Sequence, residues 1–179
     1  REYYGENNGW IYRWDVQHNF GDLVNMMGGA SAFVKNLDAT FSEWLGKPKY
    51  EFYAQLPDHT GNVGQFSMAN EPSLHIPYLY NYAQAPWKTQ QRIRSLVHQW
   101  FRNDLMGVPG DEDGCGLSSF VVFSMMGFYP VTPGLPVYHI GSPFFSSVKM
   151  KLSNGKVLEI IARNCSVDNK YIQSAKLNG

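Results

Sequence analysis

Three stretches of the chain set carboxylates beside glycine, asparagine or aromatic side chains, and each has the makings of a reactive site. The first is Tyr4-Gly5-Glu6-Asn7-Asn8-Gly9-Trp10. A carboxyl group held beside bulky aromatics loses hydration, which favours its protonated form. Such a group can hand a proton to a leaving oxygen; the plainer reading is a solvated loop glutamate next to structural aromatics. The second stretch, Ala69-Asn70-Glu71-Pro72-Ser73, places two hard oxygen donors side by side, a combination suited to calcium. The same residues also suit a helix start, with Asn70 as cap and Glu71 complementing the helix dipole. The third is Gly110-Asp111-Glu112-Asp113-Gly114. Adjacent carboxylates repel one another unless water or a cation screens them. In an extended loop alternate side chains face the same way, so Asp111 and Asp113 are expected to share one target. Such a pair can hold and deprotonate a water, while solvated acidity ahead of a buried helix is the alternative. The spacing is not that of an EF-hand loop.

Other chemistries find less support. His18, His59, His75, His98 and His139 are scattered without zinc-ligand spacing. There is no GxSxG, Walker loop or paired CxxC, so serine-hydrolase, nucleotide and zinc-finger readings have nothing to stand on. Cys115 and Cys165 are as compatible with two free thiols as with one disulfide. Asn164-Cys165-Ser166 is formally a glycosylation sequon and points only weakly to an extracellular address.

The elements that must position these loops can be read from periodicity. Residues 1–19 are polar, aromatic and rich in Asn and Gly, as in a long loop. Phe20, Leu23, Val24, Met26 and Met27 form a helical stripe stopped by Gly28-Gly29, and a second stripe runs from Ala30 to Trp44. Lys47 to Gly64 reads as loop. Pro72 predicts a helix over about 72–84, and Trp87 to Leu105 carries the clearest amphipathic pattern. Leu117 to Met126 is nearly all apolar and predicts a buried helix ending at Gly127. From residue 137 onward apolar residues alternate around the Asn154-Gly155 turn, as in a small β region. The fold class is therefore mainly α, about five helices joined by long polar loops, followed by a β tail. Antiparallel helix pairs with loops gathered at one end are the unit of helical barrels.

With 179 residues, 44% of them hydrophobic and 17% charged, the chain can bury a substantial core. Lys+Arg and Asp+Glu balance at 15 each, which argues against nucleic acid or an anionic membrane as the main partner. No apolar run is long enough to span a bilayer. The opening REYYGENNGW has the look of an interior segment of a longer chain.

Taken in order, ENNGWIYRWDVQHN, MGG, MANEPSLHIPYLYNYA, PWKTQQRIR, GDEDGCGLSSFVVFSMMGFYPVTPG and YIQSAKLNG resemble family 92 of the glycoside hydrolases, across nearly all of the chain. That resemblance implies a calcium-dependent, inverting exo-α-mannosidase built from an N-terminal β-sandwich and a C-terminal (α/α)6 barrel. Residues 1–136 would be the last part of the barrel and 137–179 its β-rich closing segment, with the β-sandwich absent from this chain. Glu6 matches the general acid, and Asp111 and Asp113 match the motif supplying the general base, the choice between them being open. Asn70, Glu71 and Asp113 would lie at the calcium ion (Ca2+), and Trp10, His18, Lys88 and Thr89 would line the sugar pocket. Two departures are visible: Phe66-Ser67-Met68-Ala69 stands where many members carry a histidine, and the acidic motif reads DEDG. An inverting glycosidase holds its two carboxyl groups about 6.5–9.5 Å apart, leaving room for water. A cation on O2 and O3 of mannose would keep the ring in register and draw the axial O2 from the path of that water. Mannose-containing glycans (N-glycans or mannan) are the implied partners, with an extracellular or secretory location and α-1,2 linkages foremost. The alternative is a non-catalytic carbohydrate-binding relative with the same barrel. The 179 residues alone are expected to be inactive or poorly folded.

Overall fold

Asparagine side chains start the first two helices. Asn8 accepts from the Trp10 N–H and opens α1 (Gly9–Tyr12), and Asn19 accepts from the Asp22 N–H and opens α2 (Phe20–Met26). The computed structural model describes residues 3–56 and 59–179. After Gly28 and Gly29, both at positive φ, α3 (Ala30–Thr40) turns Phe33, Leu37 and Thr40 inward. The expected 47–64 loop holds regular structure. Helix α4 (Lys49–Gln55) buries Phe52, and a tight hairpin pairs β1 (Asn62–Val63) with β2 (Phe66–Ser67). Its Pro and Gly content hid both elements, because Pro48 is the residue ahead of the helix and Gly64 lies in the hairpin turn.

The predicted 72–84 helix is present as two 3-10 segments, Glu71–Ser73 and Ile76–Ala83. In the second, Ile76, Pro77, Tyr78, Leu79 and Tyr80 are all buried, so this rod is apolar on every side and runs through the core. Helices α2, α3 and α5 (Pro86–Trp100) pack around it. Pro86 occupies the first turn of α5, where a missing N–H costs nothing, and Ile93, Leu96 and Val97 face the rod. Helix α6 (Gly116–Met126) departs from the expectation of a fully buried helix. Leu117, Phe120 and Ser124 are buried, but Val122 is 54% exposed because no element among the described residues covers that side.

Strand β3 (Phe128–Tyr129) pairs with β4 (His139–Ile140), so strand pairing crosses the expected 136/137 boundary. Strands β5 (Ser147–Lys151) and β6 (Val157–Ile161) form the predicted antiparallel hairpin, Ser147 opposite Ile161 and Lys151 opposite Val157. Asn154 accepts from the Lys156 N–H in its turn. The buried Arg94 of α5 ties the tail to the helices, donating to Ser142 Oγ at 3.0 Å and to the Pro143 carbonyl at 2.5 Å. The described residues hold six α-helices, too few for the six helical pairs of a complete (α/α)6 barrel, and no closed sheet. Among them, no helix is long and apolar enough to cross a membrane. Cys115 and Cys165 are free thiols.

Candidate active site

Three loops meet over the start of the 3-10 rod. Asn70 has the extended backbone of a helix cap but makes no capping bond with its side chain. Its amide instead bridges two other residues. Nδ2 donates to Glu6 Oε2 at 3.2 Å, and Oδ1 accepts from Asn7 Nδ2 at 3.1 Å. Asn7 and Asn70 are both buried, whereas Glu6 is exposed. The aromatics expected to desolvate Glu6 are engaged elsewhere. Tyr4 stacks on Tyr12 with centroids 5.2 Å apart, and the Arg13 guanidinium lies 4.2 Å from the Trp10 ring centroid.

Glu71 is the carboxylate that the fold desolvates. Its Oε1 is buried with no hydrogen-bond partner, and its Cγ and Oε1 lie against Gly116, where a Cβ would come within 3.0 and 3.2 Å of them. Burial first, then the charges of Asp113, Glu6 and Glu112, push the Glu71 carboxyl above its ordinary range. Those couplings bring Glu6, Glu71, Glu112 and Asp113 into one electrostatic neighbourhood, although they come from three separate loops.

The acidic loop is not extended, and its alternation does not hold. Gly110, Asp113, Gly114 and Cys115 all have positive φ, so the chain coils. A Cβ at Gly110 would lie 2.8 Å from the Ala69 Cβ, so this close approach requires glycine. Coiling separates the three acids. Both aspartates are exposed, but Glu71 feels the charge of Asp113, whereas Asp111 makes no hydrogen bond or ion pair among the described residues. Glu112 turns back to the head of α6, accepting from the Ser118 N–H at 2.9 Å and from the Cys115 N–H. These donors hold the Glu112 carboxyl below its ordinary range. Nothing local marks this role, because three consecutive acids carry no sign of which one turns back.

Lys88 and Thr89 are engaged with other partners or buried. Lys88 Nζ contacts the Asp38 carboxylate at 2.7 and 3.0 Å, and that carboxylate also accepts from the Tyr80 hydroxyl. Thr89 is fully buried, its hydroxyl unpartnered, and His18 is exposed. Among the described residues no contact joins these three to the carboxylate cluster. Sequence reasoning passed over Asn7, Asn8, His59 and Gln65. The first two lie in a motif read for its glutamate alone, His59 in the stretch read as loop, and Gln65 just beyond its end.

The donor set suits a hard cation in part. Glu71 offers an unsatisfied oxygen beside Asp113, and the Asn70 carbonyl oxygen has a second lone pair. Among the described residues no three His, Cys, Asp or Glu side chains group closely enough to hold a metal by themselves, so an amide, water or sugar oxygen would have to complete the shell.

Three loops thus bring carboxylates into one neighbourhood, and a pair of carboxyl groups is what glycoside hydrolysis uses. Residues 1–179 match the glycosyl hydrolase family 92 catalytic domain, and the chain belongs to that family. It is 35% identical to an uncharacterized secreted glycosidase of Arthroderma benhamiae over 179 residues, covering 97% of this chain and 20% of that protein. A family GH92 alpha-mannosidase from Bacteroides thetaiotaomicron, solved in complex with mannoimidazole, superposes with a TM-score of 0.83 at 34% identity, covering 93% of this chain and 21% of the other. A GH92 inverting mannosidase from Bacteroides thetaiotaomicron VPI-5482 gives a TM-score of 0.77 at 35% identity, over 94% and 23% of the two chains. The chain thus spans about a fifth of the length of the relatives it matches.

Proposed function

We propose that the protein hydrolyses terminal α-linked mannose, α-1,2-linked in the first instance, with inversion and with calcium. The observation that carries this reading is the Asn70 bridge, which tethers Glu6 within electrostatic reach of the half-buried Glu71, whose Oε1 is buried and which also feels the charge of Asp113. Exposed Glu6 is free to meet a substrate and protonates the glycosidic oxygen as the bond from the anomeric carbon breaks. Asp113, with Asp111 as the second candidate, takes a proton from the water that attacks the opposite face. The coupling of Asp113 to Glu71, absent for Asp111, favours Asp113 as the base. Glu71, Asp113 and the Asn70 carbonyl would hold the calcium ion, which supplies a fixed positive charge for sugar hydroxyls. Trp10 is half-buried and remains a candidate for the sugar pocket, with His18, Lys88 and Thr89 proposed on the resemblance alone.

Support for mannose comes from the two Bacteroides thetaiotaomicron mannosidases, and for an extracellular or secretory location from the secreted Arthroderma benhamiae relative. In this reading the chain forms part of an (α/α)6 barrel that works against an N-terminal β-sandwich of the same protein, on N-glycans or mannan. The test is to incubate the full-length protein with α-1,2-mannobioside and follow mannose by proton NMR, with calcium and then with a chelator. Calcium-dependent release appearing first as β-mannose is the expected result. Release of α-mannose, or release indifferent to the chelator, overturns inversion or the metal respectively. Binding without turnover by the wild type would favour the non-catalytic alternative.

A further inference from the structure

The Glu6 loop has little order of its own, since α1 behind it is only four residues long. Its register comes from a clamp on Asn8 made by two buried side chains. Asn8 Oδ1 accepts from the Trp10 N–H at 2.9 Å, and Asn8 Nδ2 reaches Gln65 Oε1 at 3.0 Å and His59 Nδ1 at 3.4 Å. Gln65 is held at three further points. Its Nε2 donates to the Trp44 carbonyl at 2.5 Å, its N–H to the Thr40 carbonyl at 2.9 Å, and its own carbonyl accepts from His59 Nε2 at 3.0 Å. That last bond puts the imidazole proton on Nε2 and leaves Nδ1 as the acceptor facing Asn8. His59 is fully buried, its ring 4.9 Å from that of Phe52, and Gln65 is 7% exposed. The clamp therefore sits among α3, α4 and the β1–β2 hairpin, its His59 and Gln65 ends buried and its Asn8 end half-buried.

Resting on the general-acid reading of Glu6, we propose that Gln65 and His59 are positioning residues that fix the Glu6 carboxyl through Asn8. Neither residue touches a carboxylate among the described residues, so their effect is on where Glu6 sits. Asn8 follows Asn7, whose amide donates to Asn70, the residue that in turn donates to Glu6. Gln65 offers an acceptor to Asn8 and a donor to the Trp44 carbonyl at once. Methionine offers neither, and ionised glutamate lacks the donor.

The experiment compares two substrates on the full-length protein. A mannobioside has a poor leaving group and needs the acid, whereas a dinitrophenyl α-mannoside leaves without a proton. For Gln65→Met and His59→Leu, kcat on the mannobioside is expected to fall about 100-fold, the scale of a misplaced catalytic group. KM should stay close to wild type, and the dinitrophenyl substrate should be turned over at close to the wild-type rate. His59→Gln, which can still donate to Gln65 and accept from Asn8, should recover most of the loss. Equal losses on both substrates, or no loss on either, overturn the inference, and circular dichroism sets aside any variant that fails to fold. His59→Gln then remains as the conservative arm, since a folded His59→Gln that loses as much on the dinitrophenyl substrate as on the mannobioside also counts against the clamp. Glu6→Gln separates the two levels. If it turns over mannobioside normally, the acid assignment falls and the clamp with it; if it is inactive beside a normal Gln65→Met, only the clamp falls.

Discussion

Asn70 Nδ2 donates to Glu6 Oε2 at 3.2 Å across 64 positions of sequence, and this bond joins the first acidic loop to the second. The amide forgoes capping the helix it precedes in order to make it. Replacing Asn70 by leucine leaves Glu6 untethered and Asn7 Nδ2 without its acceptor. Stability should fall by about 1–3 kcal/mol, the cost of leaving a buried donor unpaired. Turnover of a mannobioside should fall further than stability accounts for. Thermal melts beside steady-state kinetics check both, and wild-type kcat in a destabilised variant would remove Asn70 from the site.

Glu71 carries the pH dependence of the cluster. Its carboxyl is raised in the folded protein, mainly by burial, so the native state binds a proton more readily than the unfolded chain. The associated stability is fully present below the unfolded carboxylate range and is lost as pH rises through the raised folded value. Glu71→Gln removes that loss, and in chelator its melting temperature should fall less than that of wild type between acid and neutral pH. Calcium should restore the wild type at neutral pH and leave Glu71→Gln unmoved. A variant stabilised by calcium as much as wild type would place the ion elsewhere.

Gly116→Ala probes the same carboxylate without altering charge. The new Cβ would press on Glu71 Cγ at 3.0 Å and Oε1 at 3.2 Å. Alanine favours a helix, by up to about 1 kcal/mol over glycine. Stability of α6 should therefore hold while calcium affinity drops, as isothermal calorimetry would show. Unchanged affinity would mean that Glu71 can swing aside without cost.

His59 sets an acid limit on the fold. Burial lowers its ring to about pKa 4, against 6.5 when unfolded, and the hydrogen bond to the Gln65 carbonyl only partly opposes this. Here the unfolded chain binds the proton more readily. The contribution of neutral His59 is complete above pH 6.5 and is lost as pH falls towards 4. The slope can reach about 1.4 kcal/mol per pH unit within that window. Denaturant titrations at several pH values should show a shallower acid slope in His59→Gln than in wild type.

Asp113 and Asp111 should separate cleanly. Asp113→Asn removes a charge that Glu71 feels, whereas Asp111→Asn changes an equally exposed side chain with no hydrogen bond or ion pair among the described residues. If Asp113 is the base, its variant should lose on the order of 100-fold or more in kcat, the scale of general-base catalysis. The Asp111 variant should stay within a few-fold, and the reverse order would move the base to Asp111.

Much of this protein follows from its sequence alone. The stripes of α2, α3 and α5 come from 3.6-residue periodicity, and the β5–β6 hairpin from alternation around Asn154-Gly155, because local sterics and burial on one face decide such elements. The three acidic loops were equally visible as concentrations of chemistry. What they do to one another was left to the tertiary structure. Positive φ at Gly110, Asp113, Gly114 and Cys115 coils the loop, so neighbouring acids acquire different surroundings: Glu112 the head of α6, Asp113 the charge of Glu71, and Asp111 no hydrogen bond or ion pair among the described residues. Desolvation likewise fell on Glu71, since burial depends on what packs against a group from elsewhere in the chain. The Asn70 bridge and the Asn8 clamp join residues more than fifty positions apart, and no local pattern encodes bonds that exist only once the chain has closed on itself.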